Sequence, residues 1–179
     1  KGDEAKAAEC LVKAQQKNSD DRNVITLGEG LLKEQRYGEA LALFNQALKT
    51  DPQNATLHFN IGYTHYAQAQ YAAAIPSYRE AIRLQPNYLA AYYNLAVTYV
   101  AMKDIAQAIA ALEKALLVNP DHPRSLFDLG RLYLQSGRNK EAATTLCHFK
   151  KVVKGGLPGS GLPEETAIAD KLISQLGGC

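Results

Sequence analysis

Three nine-residue segments decide the fold: FNQALKTDP at residues 44–52, YREAIRLQP at residues 78–86 and LEKALLVNP at residues 112–120. Each segment ends in a proline, and successive prolines are 34 residues apart. This period is the length of one helix–turn–helix unit of a repeat protein. Because proline cannot continue a helix and disfavours helical geometry in the residue before it, each segment predicts the end of a helix. The sequence therefore predicts an array of helical hairpins.

Units of 34 residues, aligned on these prolines, carry the same kind of side chain at corresponding positions. Positions 8 and 20 are small, whereas positions 7 and 24 are large and apolar. Two antiparallel helices approach closely where small residues face each other, and large neighbours fill the remaining space. The aligned residues are Leu27, Ile61, Leu95 and Leu129 at position 7; Gly28, Gly62, Ala96 and Gly130 at position 8; Ala40, Ala74, Ala108 and Ala142 at position 20; and Phe44, Tyr78, Leu112 and Leu146 at position 24.

This pattern resembles the tetratricopeptide repeat (TPR) family from Asp21 to about Lys154. The last unit departs from the family pattern, because Lys154 replaces the proline and Phe149 replaces the small residue at position 27. The resemblance implies an all-α fold: a right-handed superhelical solenoid of antiparallel helix pairs, with about four repeats plus capping helices. The implied repeats are residues 21–54, 55–88, 89–122 and 123–154.

The flanking segments are predicted to cap this array. Residues 1–20 predict an N-terminal helix, a partial repeat or a cap, because three residues match positions 20, 24 and 27 of a repeat. Residues 155–162 are glycine-rich and predict a flexible loop, and residues 163–179 predict a C-terminal capping helix with a proline and two acids in its first turn. The three matching residues are Ala7, Leu11 and Ala14, and the apolar stripe of the C-terminal helix is Ile168, Leu172, Ile173 and Leu176.

The composition argues against two classes of partner. The 179-residue chain has 20 basic and 18 acidic side chains, a formal net charge of +2. This even balance gives no electrostatic argument for nucleic acid. The chain also lacks an apolar run of the length, about 18 residues or more, that spans a bilayer. We therefore predict neither nucleic-acid binding nor direct membrane insertion.

The three cysteines, Cys10, Cys147 and Cys179, are widely separated and form no CxxC pair. This pattern predicts no disulfide framework and favours a reducing compartment, the cytoplasm, with the localisation otherwise open. Residue 1 is lysine rather than methionine, so we interpret the chain as a fragment, a processed form or a trimmed chain. An upstream targeting segment would be invisible in it.

Nothing in the sequence predicts a catalytic residue, a metal site or a cofactor. His58 and His65 are seven residues apart on one helix, roughly 10 Å, which is too far to share one metal ion. Cys147 and His148 are adjacent, and adjacent residues on a helix do not face each other. The glycine-rich loop lacks the lysine and the preceding strand of a phosphate-binding loop, and no nucleophile elbow or pair of carboxylates is present. We therefore predict that the chain is not an enzyme.

The TPR resemblance implies a concave groove lined by the first helix of each unit, at positions 2, 5, 6, 9, 12 and 13. These positions carry more aromatic residues than the hairpin cores need, and an apolar surface of that size is normally buried on a partner. They also carry two asparagines, whose amides can pair with the backbone of any peptide. The predicted partner-binding residues are Phe59, Asn60, Tyr63, Tyr66, Tyr93, Asn94, Val97, Phe127, Arg124 and Arg131, the two arginines being placed to steer an acidic flank of the ligand.

Together these features predict a protein–protein interaction scaffold or adaptor that holds a peptide or helix of a partner in its groove. The carboxylate clamp of chaperone-binding TPR proteins is excluded, because that clamp needs a lysine at position 5, where this chain has Ile25, Phe59, Tyr93 and Phe127. Two alternatives are a substrate-recruiting TPR arm of a larger enzyme and a self-assembling structural protein whose groove receives a neighbouring copy. In a third, the aromatic residues of the groove simply close on one another.

Overall fold

The computed structural model describes residues 23–155 and 162–179. Within these ranges the chain is helical and contains no strand, which confirms the predicted all-α fold class. The described part of the first helix, α1, covers residues 23–33. The other helices are α2 (Tyr37–Thr50), α3 (Ala55–Ala67), α4 (Tyr71–Leu84), α5 (Leu89–Ala101), α6 (Ile105–Val118), α7 (Pro123–Gln135), α8 (Asn139–Gly155) and α9 (Pro163–Gln175).

Two of the sequence predictions fall on residues that lie outside the described ranges. They are the N-terminal helix of residues 1–20 and most of the loop of residues 155–162. The chain divides into two compact units, an N-terminal unit that ends at Pro86 and a C-terminal unit that begins at Asn87. Within the first, α3 packs against α4, and within the second, α5 packs against α6 and α7 against α8. Each unit is therefore built from paired helices, as the 34-residue period predicts.

The turn inside each helix pair has the same backbone conformation. Gln35, Ala69 and Lys103 have positive φ angles of 59°, 57° and 62°, and Gly137 has a φ angle of 75°. These residues are 34 positions apart, so they occupy the same place in each pair. The left-handed conformation favours glycine, yet three of these four turns adopt it with another residue. Packing of the two helices therefore imposes the turn, against the local preference of the residue.

Three helices begin at side chains that accept hydrogen bonds from the first turn. Asn54 Oδ1 accepts from the backbone N–H groups of Thr56 and Leu57, at 3.1 and 3.2 Å, before α3. Asp104 does the same before α6, and His122 before α7. Each cap satisfies an N–H group that has no partner inside its helix.

The helix pairs are held together by contacts between position 8 and position 24, as the sequence predicts. A Cβ atom added to Gly28 would lie 2.2 Å from the ring of Phe44, and one added to Gly62 would lie 2.9 Å from the ring of Tyr78. In the C-terminal unit, a Cβ atom on Gly130 would lie 2.6 Å from Leu146. Real Cβ atoms essentially never lie this close to a non-bonded atom, so the large residue occupies the space that glycine leaves.

The last helix completes the core of the C-terminal unit. Ala169 and Ile173 of α9 are buried against Phe127 and Phe149. Phe149 takes the place of the small residue that earlier units have at position 27, and α9 covers it. The predicted capping helix therefore packs on the face that the last helix pair exposes.

The prediction that Leu27 belongs to the core is wrong. The other residues at position 7 (Ile61, Leu95, Leu129) are at most 7% exposed, whereas Leu27 is 59% exposed. Ile61 is buried in a cluster with Ala40, Phe44 and Ala47 of α2, the helix that precedes its own pair. Leu27 belongs to the first described pair, and no other described helix precedes α1.

The prediction that the chain has no disulfide is also wrong. Cys147 on α8 is bonded to Cys179, and their Cα atoms are 5.8 Å apart. The two residues are 32 positions apart in sequence, and they meet because α9 runs back along α8. Asp170 of α9 pairs with Lys150 of α8 further along the same contact, which fixes the antiparallel direction. Cysteine spacing alone gave no sign of this contact.

Candidate functional site

The C-terminal unit contains a cleft of about 680 Å³. Its walls come from α5, α7 and α9, and Leu112 of α6 lies among its lining residues. Val100 on α5 is 41% exposed and Ile168 on α9 is 46% exposed. Most of the lining is apolar, and the apolar side chains that are not fully buried are Val97, Val100, Leu134, Ile168 and Leu172. A cavity of this size, mostly apolar with a few polar groups, has the character of a ligand-binding site.

Polar groups of the cleft come from α5 and α7. The hydroxyl of Tyr93 donates a hydrogen bond of 2.9 Å to Oδ2 of Asp128. Burial raises the pKa of Asp128 above its ordinary value, and the hydrogen bond from Tyr93 and the charge of Arg131 oppose that rise. The ring of Tyr93 also meets the ring of His122 nearly edge-on, with centroids 5.6 Å apart. Tyr93 is therefore held by contacts at both its ring and its hydroxyl.

Arg131 is the cation of the cleft. It is exposed, and its guanidinium carbon lies 5.6 Å from the centre of the Phe127 ring. This is the distance at which a cation is attracted to the face of an aromatic ring. The contact places a guanidinium group, which can form paired hydrogen bonds with a carboxylate, beside an apolar surface.

The structure brings together three of the predicted partner-binding residues. Tyr93, Val97 and Arg131 all line the cleft. Arg124 lies on the same helix as Arg131 and is exposed, outside the cleft lining. Asn94 donates its amide N–H to the backbone oxygen of Ala90, at 2.9 Å, so that donor is used within its own helix.

Phe127 is not available as a surface anchor. It is 5% exposed, and its ring packs on Phe149 with centroids 5.4 Å apart. Ile173 of α9 lies in the same buried cluster. The family pattern places position 5 on the binding face, but in this chain the capping helix covers that position in the last repeat.

The remaining predicted residues belong to the N-terminal unit. Tyr63 is exposed, Tyr66 packs on Tyr71 with ring centroids 5.6 Å apart, and Phe59 packs on the buried Tyr78 with centroids 5.8 Å apart. Asn60 is 4% exposed, and its Nδ2 has no hydrogen-bond partner. Phe59 and Tyr66 therefore pack on rings of α4, and Tyr63 is the exposed aromatic residue of this group.

Most residues of the cleft were not among the predicted partner-binding residues, and two of them were missed because their signal was assigned to another role. Ile168 and Leu172 belong to the apolar stripe of α9, which we interpreted as a cover for the last repeat. In the structure Ile173 is buried in the core, Ile168 lines the cleft, and Leu172 contacts both the core and the cleft. The apolar stripe of α9 is wider than the core contact requires. This excess width was the sequence signal that could have identified the two residues.

The described residues offer no site for a metal ion or a membrane span. They contain no group of three or more histidine, cysteine or acidic side chains that could hold a metal ion. Among these same residues, no helix has the length and apolar character needed to cross a bilayer.

Comparison with known families decides the identity of the repeat. A family model described as a tetratricopeptide repeat matches residues 25–89, and a second with the same description matches residues 65–124 and 100–146. The chain is a tetratricopeptide repeat protein. TPR proteins are generally non-catalytic scaffolds, and this family and fold support a general role in protein interaction. No curated protein sequence matches the chain.

Solved TPR structures share the fold. A crystal structure of MamA is 24% identical to this TPR chain, with a TM-score of 0.66 and an alignment covering 91% of this chain and 86% of that one. TTC0263, a thermophilic TPR protein in Thermus thermophilus, is 24% identical with a TM-score of 0.64, over 87% of this chain and 82% of that one. YrrB, described as a TPR protein with an unusual peptide-binding site, is 19% identical with a TM-score of 0.67, over 85% of this chain and 75% of that one. At these identities the likeness concerns the fold alone.

Proposed function

We propose that this TPR protein is an interaction scaffold that holds an apolar segment of a partner protein in the cleft of its C-terminal unit. The segment inserts apolar side chains between α5 and α9, and an acidic group beside them pairs with Arg131. Two exposed apolar residues, Val100 of α5 and Ile168 of α9, line this one cleft from two different helices and support the proposal.

Apolar burial supplies the affinity in this proposal. Fully burying one valine or isoleucine side chain is worth about 1.5–3 kcal/mol, and these two residues are already more than half buried. A few such contacts, reduced by the cost of ordering the ligand, give the modest affinities that are typical of scaffold proteins. The cleft thus suits a short segment with two or three apolar anchors.

Charge supplies the orientation. Arg131 is exposed at the cleft, whereas Asp128 is engaged by the hydroxyl of Tyr93. In this proposal Arg131 attracts an acidic residue of the ligand, because a guanidinium group forms paired hydrogen bonds with a carboxylate. Arg124 adds a second positive charge on the same helix.

The predicted residues of the N-terminal unit are proposed as a second contact surface of the same scaffold. Tyr63 carries most of it, with Tyr66 and Phe59 as partly buried neighbours.

The two alternatives, an arm that recruits substrates for an enzyme and a self-assembling protein, stay predictions. A concentration series in light scattering tests self-assembly. An assembly that forms through the cleft is expected to dissociate when Val100 is replaced by a charged residue.

The test begins with selection of peptides from a displayed random library on the immobilised protein. The best peptide is then synthesised with a fluorescent label and titrated with three proteins: the unmodified chain, Val100→Glu and Leu117→Glu. Leu117 is 75% exposed on α6 and is not part of the cleft, so Leu117→Glu is the matched control.

We expect Val100→Glu to raise the Kd about tenfold or more, which corresponds to the loss of roughly 1.4 kcal/mol of binding free energy. Leu117→Glu is expected to leave the Kd unchanged, and both variants keep the helical circular dichroism signal. Equal affinities for all three proteins, or selection of no peptide at all, would contradict the proposal.

A further inference from the structure

Helix α9 has two roles in the C-terminal unit at once. Ala169 and Ile173 are buried in the core, Ile168 lines the cleft, and Leu172 contacts both. A helix that belongs to both surfaces cannot leave the core without removing a wall of the cleft. Whatever holds α9 in place therefore also controls the shape of the site.

Few side chains hold α9 in place. Only Ala169 and Ile173 of α9 are buried, whereas α7 contributes seven buried residues to the same unit. Leu172 of α9 and the flanking Leu162 and Leu176 also pack on the core, but they are only partly buried. Outside the core, Asp170 pairs with Lys150 of α8 at 2.5 Å, with the aspartate half exposed. Exposed ion pairs of this kind contribute little to stability. Segments with so few buried contacts open locally at a low free-energy cost.

The disulfide supplies the missing constraint. After α9 ends, Gly177 and Gly178 have φ angles of +99° and +92°, a conformation that residues other than glycine rarely adopt. These two glycines turn the end of the chain back, and Cys179 reaches Cys147 on α8. The tail sequence Leu-Gly-Gly-Cys is therefore suited to closing a covalent bond between the end of α9 and its neighbour.

We propose that the Cys147–Cys179 disulfide is a redox latch, which keeps α9 docked as a wall of the cleft when oxidised and frees it when reduced. The effect on ligand binding rests on the function proposed above, whereas the effect on α9 does not. The reductant is a dithiol, either a small molecule or a protein with two neighbouring cysteines.

Cys179 is exposed, whereas Cys147 is partly covered, so a reductant reaches the sulfur of Cys179 first. A thiolate of the dithiol attacks Sγ of Cys179, the bond to Cys147 breaks, and the Cys147 thiolate leaves and takes up a proton. The second thiol of the reagent then attacks the reagent's first sulfur, which is bonded to Cys179 in the mixed disulfide. Cys179 is released as a thiolate and also takes up a proton. The protein disulfide gains two electrons and two protons, and the dithiol is oxidised to a disulfide.

The test uses the chain with Cys10→Ser, so that only the two cysteines of the latch remain. Hydrogen–deuterium exchange is measured on the oxidised protein and on the same protein kept in dithiothreitol. We expect peptides from residues 163–175 to exchange about tenfold faster or more after reduction, because the bridge no longer limits the opening of α9. Peptides from α6, residues 105–118, serve as the internal reference and keep their rate.

A second variant, Cys10→Ser with Cys179→Ser, gives the control for the reagent. Its α9 is expected to exchange at the fast rate in both conditions. Three results overturn the proposal: free thiols at both positions under oxidising conditions, no change of α9 exchange on reduction, or the same acceleration in α6 as in α9. The last of these indicates a general loss of stability in place of a latch.

Binding is then measured with the peptide selected above. The latch predicts that the Kd rises at least several-fold in dithiothreitol for Cys10→Ser and does not change for the double variant. If no peptide binds either form while α9 still responds to reduction, the function proposed for the cleft fails and the latch stands. If a peptide binds with the same Kd in both states, the link between the latch and the cleft is refuted.

Discussion

The hydroxyl of Tyr93 donates a hydrogen bond to Asp128, 35 residues further along the chain, and so joins the first helices of two successive repeats. Replacing Tyr93 with phenylalanine removes this bond and keeps the ring against His122. We expect the free energy of unfolding to fall by about 1 kcal/mol, with the helical content unchanged. Chemical denaturation followed by circular dichroism measures it. Tyr93→Ala is expected to weaken ligand binding as well, because it also removes the ring from the cleft.

Asp128 is expected to make stability depend on pH. Burial raises its pKa in the folded protein above the ordinary value of 3.8, so the folded state binds the proton more tightly than the unfolded chain does. The free energy of unfolding contributed by this group therefore falls as pH rises from 3.8 through the folded-state pKa. The asparagine of Asp128→Asn does not titrate and still offers an oxygen to Tyr93. The free energy of unfolding of this variant is therefore expected to rise relative to that of the unmodified protein over that pH range. A constant difference between the two denaturation curves at every pH would count against this account.

His122 is expected to give the opposite dependence. Its Nδ1 accepts a hydrogen bond from the backbone N–H of Ser125, at 3.3 Å, and thereby caps α7. Burial lowers its pKa below 6.5, and the charge of Arg124 acts in the same direction, against that of Asp128. Since the unfolded chain then binds the proton more tightly, this contribution to stability is present above pH 6.5 and is lost as pH falls towards the folded-state pKa.

His122→Asn keeps a capping side chain at the start of α7 but removes the group that titrates. Asparagine is a good N-cap at every pH, so the variant is expected to lose less stability than the unmodified protein on acidification below pH 6.5. Thermal denaturation in a series of buffers measures the difference. Parallel curves for the two proteins would show that the imidazole cap does not titrate in this range.

Two glycines of the N-terminal unit offer a matched pair for testing the close helix contacts. A Cβ atom on Gly62 would lie 2.9 Å from the ring of Tyr78, whereas one on Gly30 would meet nothing within 4 Å. We expect Gly62→Ala to lower the free energy of unfolding by roughly 1–3 kcal/mol, through overpacking. Gly30→Ala is expected to raise it by up to about 1 kcal/mol, because alanine favours a helix over glycine. Urea denaturation distinguishes them, and destabilisation of equal size in both would contradict the contact.

The repeated turns predict a stabilising substitution. Ala69 has a φ angle of +57° at the place where the last helix pair has Gly137. The left-handed conformation costs a residue with a Cβ atom about 1–2 kcal/mol, part of which glycine loses again in the unfolded chain. We expect Ala69→Gly to raise the midpoint of thermal denaturation, in contrast to glycine substitutions inside helices. The same exchange at Ala72, an exposed residue inside α4, is the control and is expected to lower it.

The sequence was sufficient for the contacts that every repeat must make. Gly62 and Tyr78 could be paired without a structure because the same small and large residues recur at the same spacing in each unit. The fold class followed from the same regularity. These contacts are local, within one helix pair, and they do not depend on how the array ends.

The sequence was insufficient where the repetition stops. Leu27 was placed in the core by analogy with Ile61 and Leu95, but Ile61 is buried on the helix that precedes its pair, and no other described helix precedes α1. Phe127 was assigned to a binding surface by its position in the repeat, and α9 buries it. Cys147 and Cys179 meet because α9 runs back along α8, a tertiary contact that no spacing rule contains.

Photochemical crosslinking shows where on the protein the ligand binds. The selected peptide is synthesised with a photoreactive group on its apolar anchor, irradiated with the oxidised protein, and the attached residues are identified by mass spectrometry. We expect attachment within α5, α7 and α9, at residues 93–100, 128–135 and 168–172. Attachment confined to other residues, such as those of α2 or the exposed face of α6, would contradict it.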